Sequence, residues 1–211
     1  MGKRAYSPKD ISNQTYKLLE WDEPWASAFG KPCVNDSWFI CGKSASGKSS
    51  FVMQLAKELC KYGRVLYVSY EEGVNRTMQE RIKRFRMQEV QGRFRVVVDE
   101  EMDSLKERLR KRQAPHYVIV DSIQMSGWNY SDIDALVKEF PRRCFIFVSQ
   151  ESKGEPLGKT AARTRYLAGV KVWVSGYIAT CQGRYKKDAS SQYIVWEEGV
   201  LRTRNGLPED G

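Results

Sequence analysis

The feature that most constrains this chain is the octapeptide Gly-Lys-Ser-Ala-Ser-Gly-Lys-Ser at residues 42–49. It follows an apolar run at 37–41 and precedes a stretch, 51–59, in which apolar residues recur at helical spacing. Glycines let such a turn curl until successive N–H groups face one point, where the next helix adds its positive dipole end. The pattern therefore predicts a binding site for nucleotide phosphates. We expect it to be formed by Gly42, Ser44, Ala45, Ser46, Gly47, Lys48, Ser49 and Ser50.

Two side chains of this loop and one distant carboxylate have predictable roles. Lys48 is expected to reach the β- and γ-phosphates, and the Ser49 hydroxyl is expected to ligate Mg²⁺. Asp121 ends the apolar run 117–120, a position from which a carboxylate can hold the same metal beside the serine. Taken alone, an aspartate there is also a common cap for a strand end. Together the three residues predict ATP with Mg²⁺ as the ligand.

Two adjacent acids follow a second apolar run, 64–69. Glu71 and Glu72 stand at the carboxyl end of a predicted parallel strand, the edge at which open α/β sheets bind ligands. Hydrolysis needs a carboxylate that orients and deprotonates a water molecule. Glu71 is the first candidate for this base and Glu72 the second. Both could instead be acids favoured by the dipole of the following helix.

A glutamine and a basic segment follow the strand predicted at 144–148. Gln150 is placed to hydrogen-bond a γ-phosphate and to report its presence to the residues that follow. Those residues form a Gly-rich segment that is suited either to contact with nucleic-acid phosphates or to plain solvation at the surface. The candidate contacts are Lys153, Lys159, Arg163 and Arg165.

Short β-branched runs alternate with amphipathic stretches along the chain. This alternation predicts an α/β fold with a mostly parallel central sheet flanked by helices. After residue 170 the helices stop, and the runs 172–179 and 192–196 predict an antiparallel hairpin that finishes the sheet. We expect residues 1–30 to be a lead-in segment, 31–200 the folded domain, and 201–211 a polar tail.

Composition narrows the functional classes. Thirty-five Lys and Arg against 26 Asp and Glu give a net charge of +9, which favours a polyanionic partner. No apolar run is long enough for a membrane helix, and no secretory signal is evident at the start. The five cysteines form no CxxC pair and the chain has one histidine, which predicts no zinc site and a cytoplasmic protein with reduced thiols.

Several motifs in order resemble those of the RecA superfamily of ATPases. GKSASGKS, then VLYVSYEE, YVIVDSIQ and FIFVSQ, are similar to the cores of RadA/Sms recombination proteins and DnaB-type helicases over residues 37–180. The resemblance implies a RecA-like sheet, Mg²⁺-ATP at the phosphate loop, Glu71 as catalytic carboxylate and Gln150 as the relay from nucleotide to DNA. It also implies single-stranded DNA as a partner and a homo-oligomeric ring or filament with ATP held between subunits.

The chain also departs from those families. We expect these residues to include none of their zinc module, protease-like domain and collar domain, and a clear KNRFG-like motif is not evident. Arg184 or Lys186, in a loose counterpart of that motif, could act across a subunit interface as a cationic finger. The resemblance therefore extends to the motor core alone, of a phage or mobile-element type.

Three functions compete on these observations. The first is a Mg²⁺-dependent, DNA-stimulated ATPase of recombination or replication. The second is a nucleotide-gated adaptor or helicase loader with slow turnover, and the third a P-loop kinase for a small metabolite, whose lid the basic stretch 159–165 would form. The absence of an NKxD segment disfavours a GTPase.

Overall fold

Nine strands form the centre of the protein in a computed structural model that describes residues 5–185 and 191–205. Four of the first five strands follow the predicted apolar runs to within a few residues. The strands are β1 Trp38–Gly42, β2 Val65–Ser69, β3 Phe94–Val98, β4 Tyr117–Asp121, β5 Cys144–Ser152, β6 Glu155–Pro156, β7 Val170–Ser175, β8 Ile178–Cys181 and β9 Gln192–Ile194.

Helices connect most of the parallel strands. A short 3₁₀ helix, Met87–Val90, precedes β3. The α-helices are α1 Pro8–Ser12, α2 Trp25–Phe29, α3 Lys48–Leu59, α4 Arg76–Arg84, α5 Met102–Arg110, α6 Tyr130–Glu139, α7 Lys159–Leu167 and α8 Glu197–Arg204. No helix in the described part of the chain is long and apolar enough to cross a membrane.

The strand order is β3-β2-β4-β5-β1-β7-β8-β9, with β6 paired to β5. Every pair from β3 to β7 is parallel, and β8 and β9 add antiparallel strands at the far edge. The predicted mostly parallel sheet with antiparallel C-terminal strands is therefore confirmed. The predicted single strand 172–179 is in fact two strands, because the chain reverses through Gly176 and Tyr177, both at positive φ.

Both faces of the sheet are covered. Along β1, Trp38 and Ile40 point into one apolar cluster, whereas Phe39 and Cys41 point into the other. Strands β1, β2 and β4 are buried along their whole length, as expected of parallel strands between two helical layers. This packing explains why these strands are continuous apolar runs rather than alternating ones.

An aromatic cluster attaches the lead-in segment to the domain. Trp21 packs edge-on against Trp38 of β1, and the Trp25 ring lies 4.3 Å from the Tyr193 ring of β9. The Trp21 indole N–H donates to the Gly30 carbonyl at 2.7 Å. Residues 21–29 therefore close one end of the core beneath α3. The proposed tail begins inside α8, and residues 206–211 lie outside the described residues.

Candidate functional site: a phosphate loop joined to a side-chain network

The phosphate loop has the predicted context, between β1 and α3. Gly42 is needed because a Cβ there would lie 2.3 Å from the Val174 carbonyl oxygen of β7. Gly47 has φ +91° and a Cβ on it would meet the Tyr177 ring at 2.7 Å. Larger residues would push this loop away from its two neighbours, so both glycines serve close backbone approach.

Lys48 shows that the loop is built for an anion. Lys48 is 8 % exposed, and among the described residues it forms no ion pair and no hydrogen bond. A nearly buried ammonium without a hydrogen-bonded partner is costly unless a ligand binds it. Lys48 lines a cavity of about 800 Å³ together with Lys43, Ser44, Ser49 and Ser50. This cavity therefore offers hydrogen-bond donors, hydroxyl groups and the N-terminus of α3, which together fit a nucleoside triphosphate.

The opposite wall of this cavity was not predicted from the sequence. It is formed by α4 and by the residues that flank β8 and α8, among them Arg84, Tyr177 and Trp196. The Arg84 guanidinium lies 5.9 Å from the Trp196 ring centroid, and Tyr177 meets Trp196 edge-on at 5.0 Å. A flat aromatic and a guanidinium form a surface on which a base can stack. The only signal for this wall in the sequence was Trp196, which follows the last strand.

The Glu72 carboxylate is bound by two residues of the helix that follows it. Its carboxylate forms an ion pair with Arg81 at 2.6 Å and accepts a hydrogen bond from Thr77 at 2.9 Å. Both partners lie on α4. These bonds tie Glu72 to the start of the helix, and the residue also lines the cavity beside the phosphate loop.

Asp121 ends β4 directly beside the end of β2, where Ser69 is its register partner. The Tyr67 hydroxyl donates a hydrogen bond to its Oδ2. Burial raises the pKa of Asp121, which the hydrogen bond from Tyr67 and the positive charges of Lys48 and Arg81 oppose. Lys48 therefore acts on Asp121 electrostatically, which suits a shared metal–phosphate site.

Glu71 lies in a different network from Glu72. Its Oε1 accepts hydrogen bonds from the Ser122 hydroxyl at 2.6 Å and from the Gln150 side-chain amide at 3.0 Å. Gln150 in turn is the register partner of Gly42, at the start of the phosphate loop. The structure thus brings together the candidate base, the candidate relay residue and the phosphate loop.

Gln124, which sequence reasoning missed, extends this network. Its Oε1 accepts from the Gln150 backbone N–H at 3.3 Å, and its Nε2 donates to Ser149 Oγ at 2.8 Å and to the Leu157 carbonyl at 2.7 Å. Leu157 follows the hairpin of β5 and β6. The available signal was a glutamine just after Asp121, but its partners depend on long-range packing.

The basic segment after Gln150 is more ordered than the predicted loop. Lys153 and Gly154 form the tight turn between β5 and β6 at positive φ, and α7 begins at Lys159. Arg165 is paired with Glu155 at 3.0 Å, and the Arg163 guanidinium lies 4.0 Å from the Tyr130 ring centroid. Lys153 and Lys159 are exposed, with no ion pair among the described residues. Of the four predicted cations, Arg163 and Arg165 therefore have partners nearby, whereas Lys153 and Lys159 remain accessible.

The two candidate finger residues lie after β8. Arg184 is exposed in a turn held by its backbone N–H, which donates to the Gly169 carbonyl at 3.1 Å. Lys186 lies outside the described residues. In the part of the chain that the structure describes, no three His, Cys, Asp or Glu side chains form a metal-binding group.

A family model supplies the classification. The model described as cobinamide kinase / cobinamide phosphate guanyltransferase, CobU, matches residues 38–152, just over half of the chain. The chain belongs to the CobU family. The matched span of this CobU-family protein runs from β1 to the end of β5 and so includes the phosphate loop, both acids, Asp121 and Gln150.

Curated relatives connect the CobU-family chain to DNA repair proteins. It is 27 % identical over 123 residues to the DNA repair protein RadA of Streptococcus pyogenes serotype M6, covering 57 % of this chain and 26 % of RadA. To RadA of Streptococcus pneumoniae it is 32 % identical over 85 residues, 40 % of this chain and 19 % of RadA. The chain thus spans about a quarter or less of these relatives.

Solved structures share the fold of this CobU-family member. The flagellar accessory protein FlaH of Methanocaldococcus jannaschii superposes with a TM-score of 0.58 at 15 % identity, covering 84 % of this chain and 93 % of FlaH. A KaiC-like protein of Pyrococcus horikoshii OT3 gives 0.63 at 13 % identity, with 85 % and 94 % covered. At these identities the likeness concerns the fold.

Proposed function

We propose that the protein is a Mg²⁺-dependent ATPase stimulated by single-stranded DNA, acting in DNA recombination or replication. The observation that carries this proposal is the hydrogen-bonded path from Glu71 through Gln150 and Gln124 to the Leu157 carbonyl. It joins a carboxylate at the nucleotide edge of the sheet to a hairpin with an exposed lysine at its turn. The similarity to the named DNA repair proteins supports the same reading.

The phosphate loop and its neighbours would bind the substrate. Backbone N–H groups of the loop and the Lys48 ammonium hold the phosphates of ATP, and Trp196 with Arg84 offers the base a stacking surface. Ser49 and Asp121 would hold Mg²⁺, whose charge neutralises the phosphate oxygens as negative charge develops. The Tyr67 hydroxyl fixes the Asp121 carboxylate in place.

Glu71 would act as the general base. An exposed carboxylate, steadied at one oxygen by Ser122 and Gln150, retains a second oxygen that can accept a proton from water. Glu72 lacks this freedom because Arg81 and Thr77 occupy it. The geometry thus favours Glu71 over Glu72 as the base.

DNA would act through the hairpin and α7. Lys153 and Lys159 supply charge for backbone phosphates, and Arg163 and Arg165 would join after leaving Tyr130 and Glu155. Any rearrangement of the hairpin would move Leu157, and with it Gln124 and Gln150. As in the families it resembles, the protein would assemble into a ring or filament, in which Arg184 or Lys186 reaches a neighbouring subunit.

The free cysteines support a cytoplasmic location as part of this proposal. Burial raises the pKa of the Cys41 thiol to about 11 and that of Cys60 to about 12, so both stay protonated and unreactive. Buried thiols of this kind are typical of a reducing compartment.

The test is the rate of ATP hydrolysis with and without single-stranded DNA, with particle size measured in both conditions. We expect hydrolysis to need Mg²⁺, to rise with DNA, and to fall about 1,000-fold or more in Lys48→Ala, because the buried ammonium is lost. The matched control is Lys43→Ala, which removes a lysine from the same cavity. Hydrolysis by Lys48→Ala at the wild-type rate would exclude the loop as the catalytic site.

A second candidate is phosphoryl transfer to a small molecule, which the name of the matching family favours. It predicts ATP consumption that depends on an added acceptor and is indifferent to DNA. Nucleotide binding without turnover in either assay would instead indicate a nucleotide-gated adaptor or helicase loader. These assays on one protein preparation therefore distinguish the DNA-stimulated ATPase, the kinase and the adaptor.

A further inference from the structure

A second basic region lies at the opposite end of the sheet from the phosphate loop. We call it the basic trough: two adjoining cavities of about 320 and 360 Å³ that share Arg64, Gly92 and Arg93. It lies where β2, β3 and β4 begin, whereas the nucleotide site lies where β1 ends. The cationic side chains that line it are Lys61, Arg64, Arg93, Arg95, Arg108 and Lys111.

Most of these charges lack an acidic partner. Arg64 and Arg93 donate to backbone carbonyls of Gln113 and Cys60, at 3.0 and 2.9 Å, which fixes their positions without neutralising them. Among the described residues, Arg95 and Lys111 have no carboxylate within ion-pair distance. The concentration of positive charge is therefore a property of the folded trough rather than of one sequence run.

Two of the six cations do have partners. Arg108 pairs with the buried Glu100 at 2.8 Å, and Lys61 pairs with Glu58 at 2.8 Å. Arg108 lies on α5, and Lys61 follows α3. The other four cations remain available to a ligand.

Local structural needs account for single members of the set but not for their grouping; Arg93, for example, donates to the Cys60 carbonyl at the C-terminal end of α3. Cations at the end of α5 suit the helix dipole, which explains Arg108 and Lys111. A charged residue on the edge strand β3 prevents strand pairing between molecules, which explains Arg95. Neither reason requires Arg64 and Arg93 to be fixed beside them around one cavity. Like charges held together repel one another unless an anion lies between them.

The shape of the trough selects the class of anion. A single phosphate would be served by one compact pocket, whereas here two cavities continue past Arg64 and Arg93 toward Lys61. Several cations spread along two adjoining cavities fit a chain of phosphates better than a single phosphate. From this we infer that the basic trough binds the phosphate backbone of a nucleic acid. The inference concerns a site separate from the nucleotide edge and does not depend on ATP hydrolysis.

The test is the affinity for a labelled single-stranded oligothymidine, measured by fluorescence anisotropy over a range of salt concentrations without nucleotide or Mg²⁺. The variant is Arg95→Gln with Lys111→Gln, two exposed residues whose loss leaves the core intact. The matched control, Lys9→Gln with Lys17→Gln, removes the same charge from exposed positions in the lead-in segment. Thermal melting of both proteins confirms that they are folded.

We expect the trough variant to bind about tenfold more weakly and its slope of log K against log salt to shrink by about 1.4, since each single-strand phosphate contact contributes about 0.7. The control should match wild type. Equal losses in both variants, or none in either, would overturn the inference, since charge alone or another surface would then carry binding.

Two further measurements separate this inference from the proposed function. Displacement of the oligothymidine by equimolar pyrophosphate would overturn a backbone site and indicate a small-anion pocket. ATP hydrolysis by the trough variant should keep the wild-type rate without DNA. Failure of the proposed ATPase activity and failure of nucleic-acid binding at the trough are therefore observed in separate measurements.

Discussion

The two halves of the nucleotide site are built by different means. The phosphate loop is held by backbone geometry, since Gly42 and Gly47 are set by contacts with Val174 and Tyr177. The carboxylate half is held by side chains, in which Glu71, Gln150 and Gln124 each fix another by hydrogen bonds. A backbone-built half keeps its shape without a ligand, whereas a side-chain network can exchange partners when a ligand arrives. We therefore expect the first half to govern binding and the second to govern turnover and its control.

The largest effect that sharpens this comparison is expected from Glu71→Gln. The amide can still accept from Ser122, yet it cannot take a proton from water, so turnover should fall about 100-fold or more. Nucleotide affinity, measured by calorimetry, should stay within a few-fold of wild type because the phosphate loop is untouched.

Glu72→Gln is the matched control for that experiment. It weakens the half-buried pair with Arg81 and should cost about 1 kcal/mol of stability with turnover nearly unchanged. If Glu72→Gln lost turnover while Glu71→Gln kept it, the roles of the two acids would be reversed.

The difference between the halves also explains what the sequence could predict. The phosphate-loop motif consists of residues adjacent along the chain, so the order of strand, loop and helix around 42–49 could be predicted from the sequence. The continuous apolar runs predicted the buried parallel strands for the same reason. Both are local patterns with one structural solution.

Contacts between residues far apart along the chain could not be predicted from the sequence. Glu71 and Gln150 lie 79 positions apart, and their hydrogen bond depends on the strand order that places β5 between β4 and β1. Trp196 reaches the nucleotide cavity only because β8 and β9 add on beyond β7. The two-strand reversal at Gly176 was missed because apolar residues resume at Tyr177, directly after the short interruption Ser175-Gly176.

An intermediate effect is expected at the junction of the two halves with the hairpin. Gln124→Ala removes the contacts with the Gln150 backbone and the Leu157 carbonyl, so stimulation by single-stranded DNA should fall about tenfold. The rate without DNA should change by about twofold at most, because Ser122 still holds Glu71. The ratio of the two rates is the measurement.

Gln88→Ala is the control, since Gln88 is an exposed glutamine outside the network. An unchanged stimulation ratio in Gln124→Ala would separate the hairpin from the carboxylate half. The comparison would then describe two parts of one catalytic site, with no path to DNA.

The smallest effect concerns stability and the charge of Asp121. Burial raises its pKa above the ordinary value of 3.8 in the folded protein, so its ionisation destabilises the fold as pH rises through the folded pKa. Asp121→Asn keeps the acceptor for Tyr67 without that charge. At neutral pH and without nucleotide it should melt a few degrees above wild type, about 2–4 °C for each kcal/mol gained.

The size of this difference must depend on pH. Below about pH 3.8 wild-type Asp121 is protonated in both the folded and the unfolded state, so the advantage of Asp121→Asn should vanish there. Melting curves of both proteins from neutral to acidic pH, without Mg²⁺, measure this convergence. The absence of a gap at every pH would mean that the charge is already neutralised by Lys48 and Arg81. In that case the carboxylate half, like the phosphate loop, would be preset for its ligand.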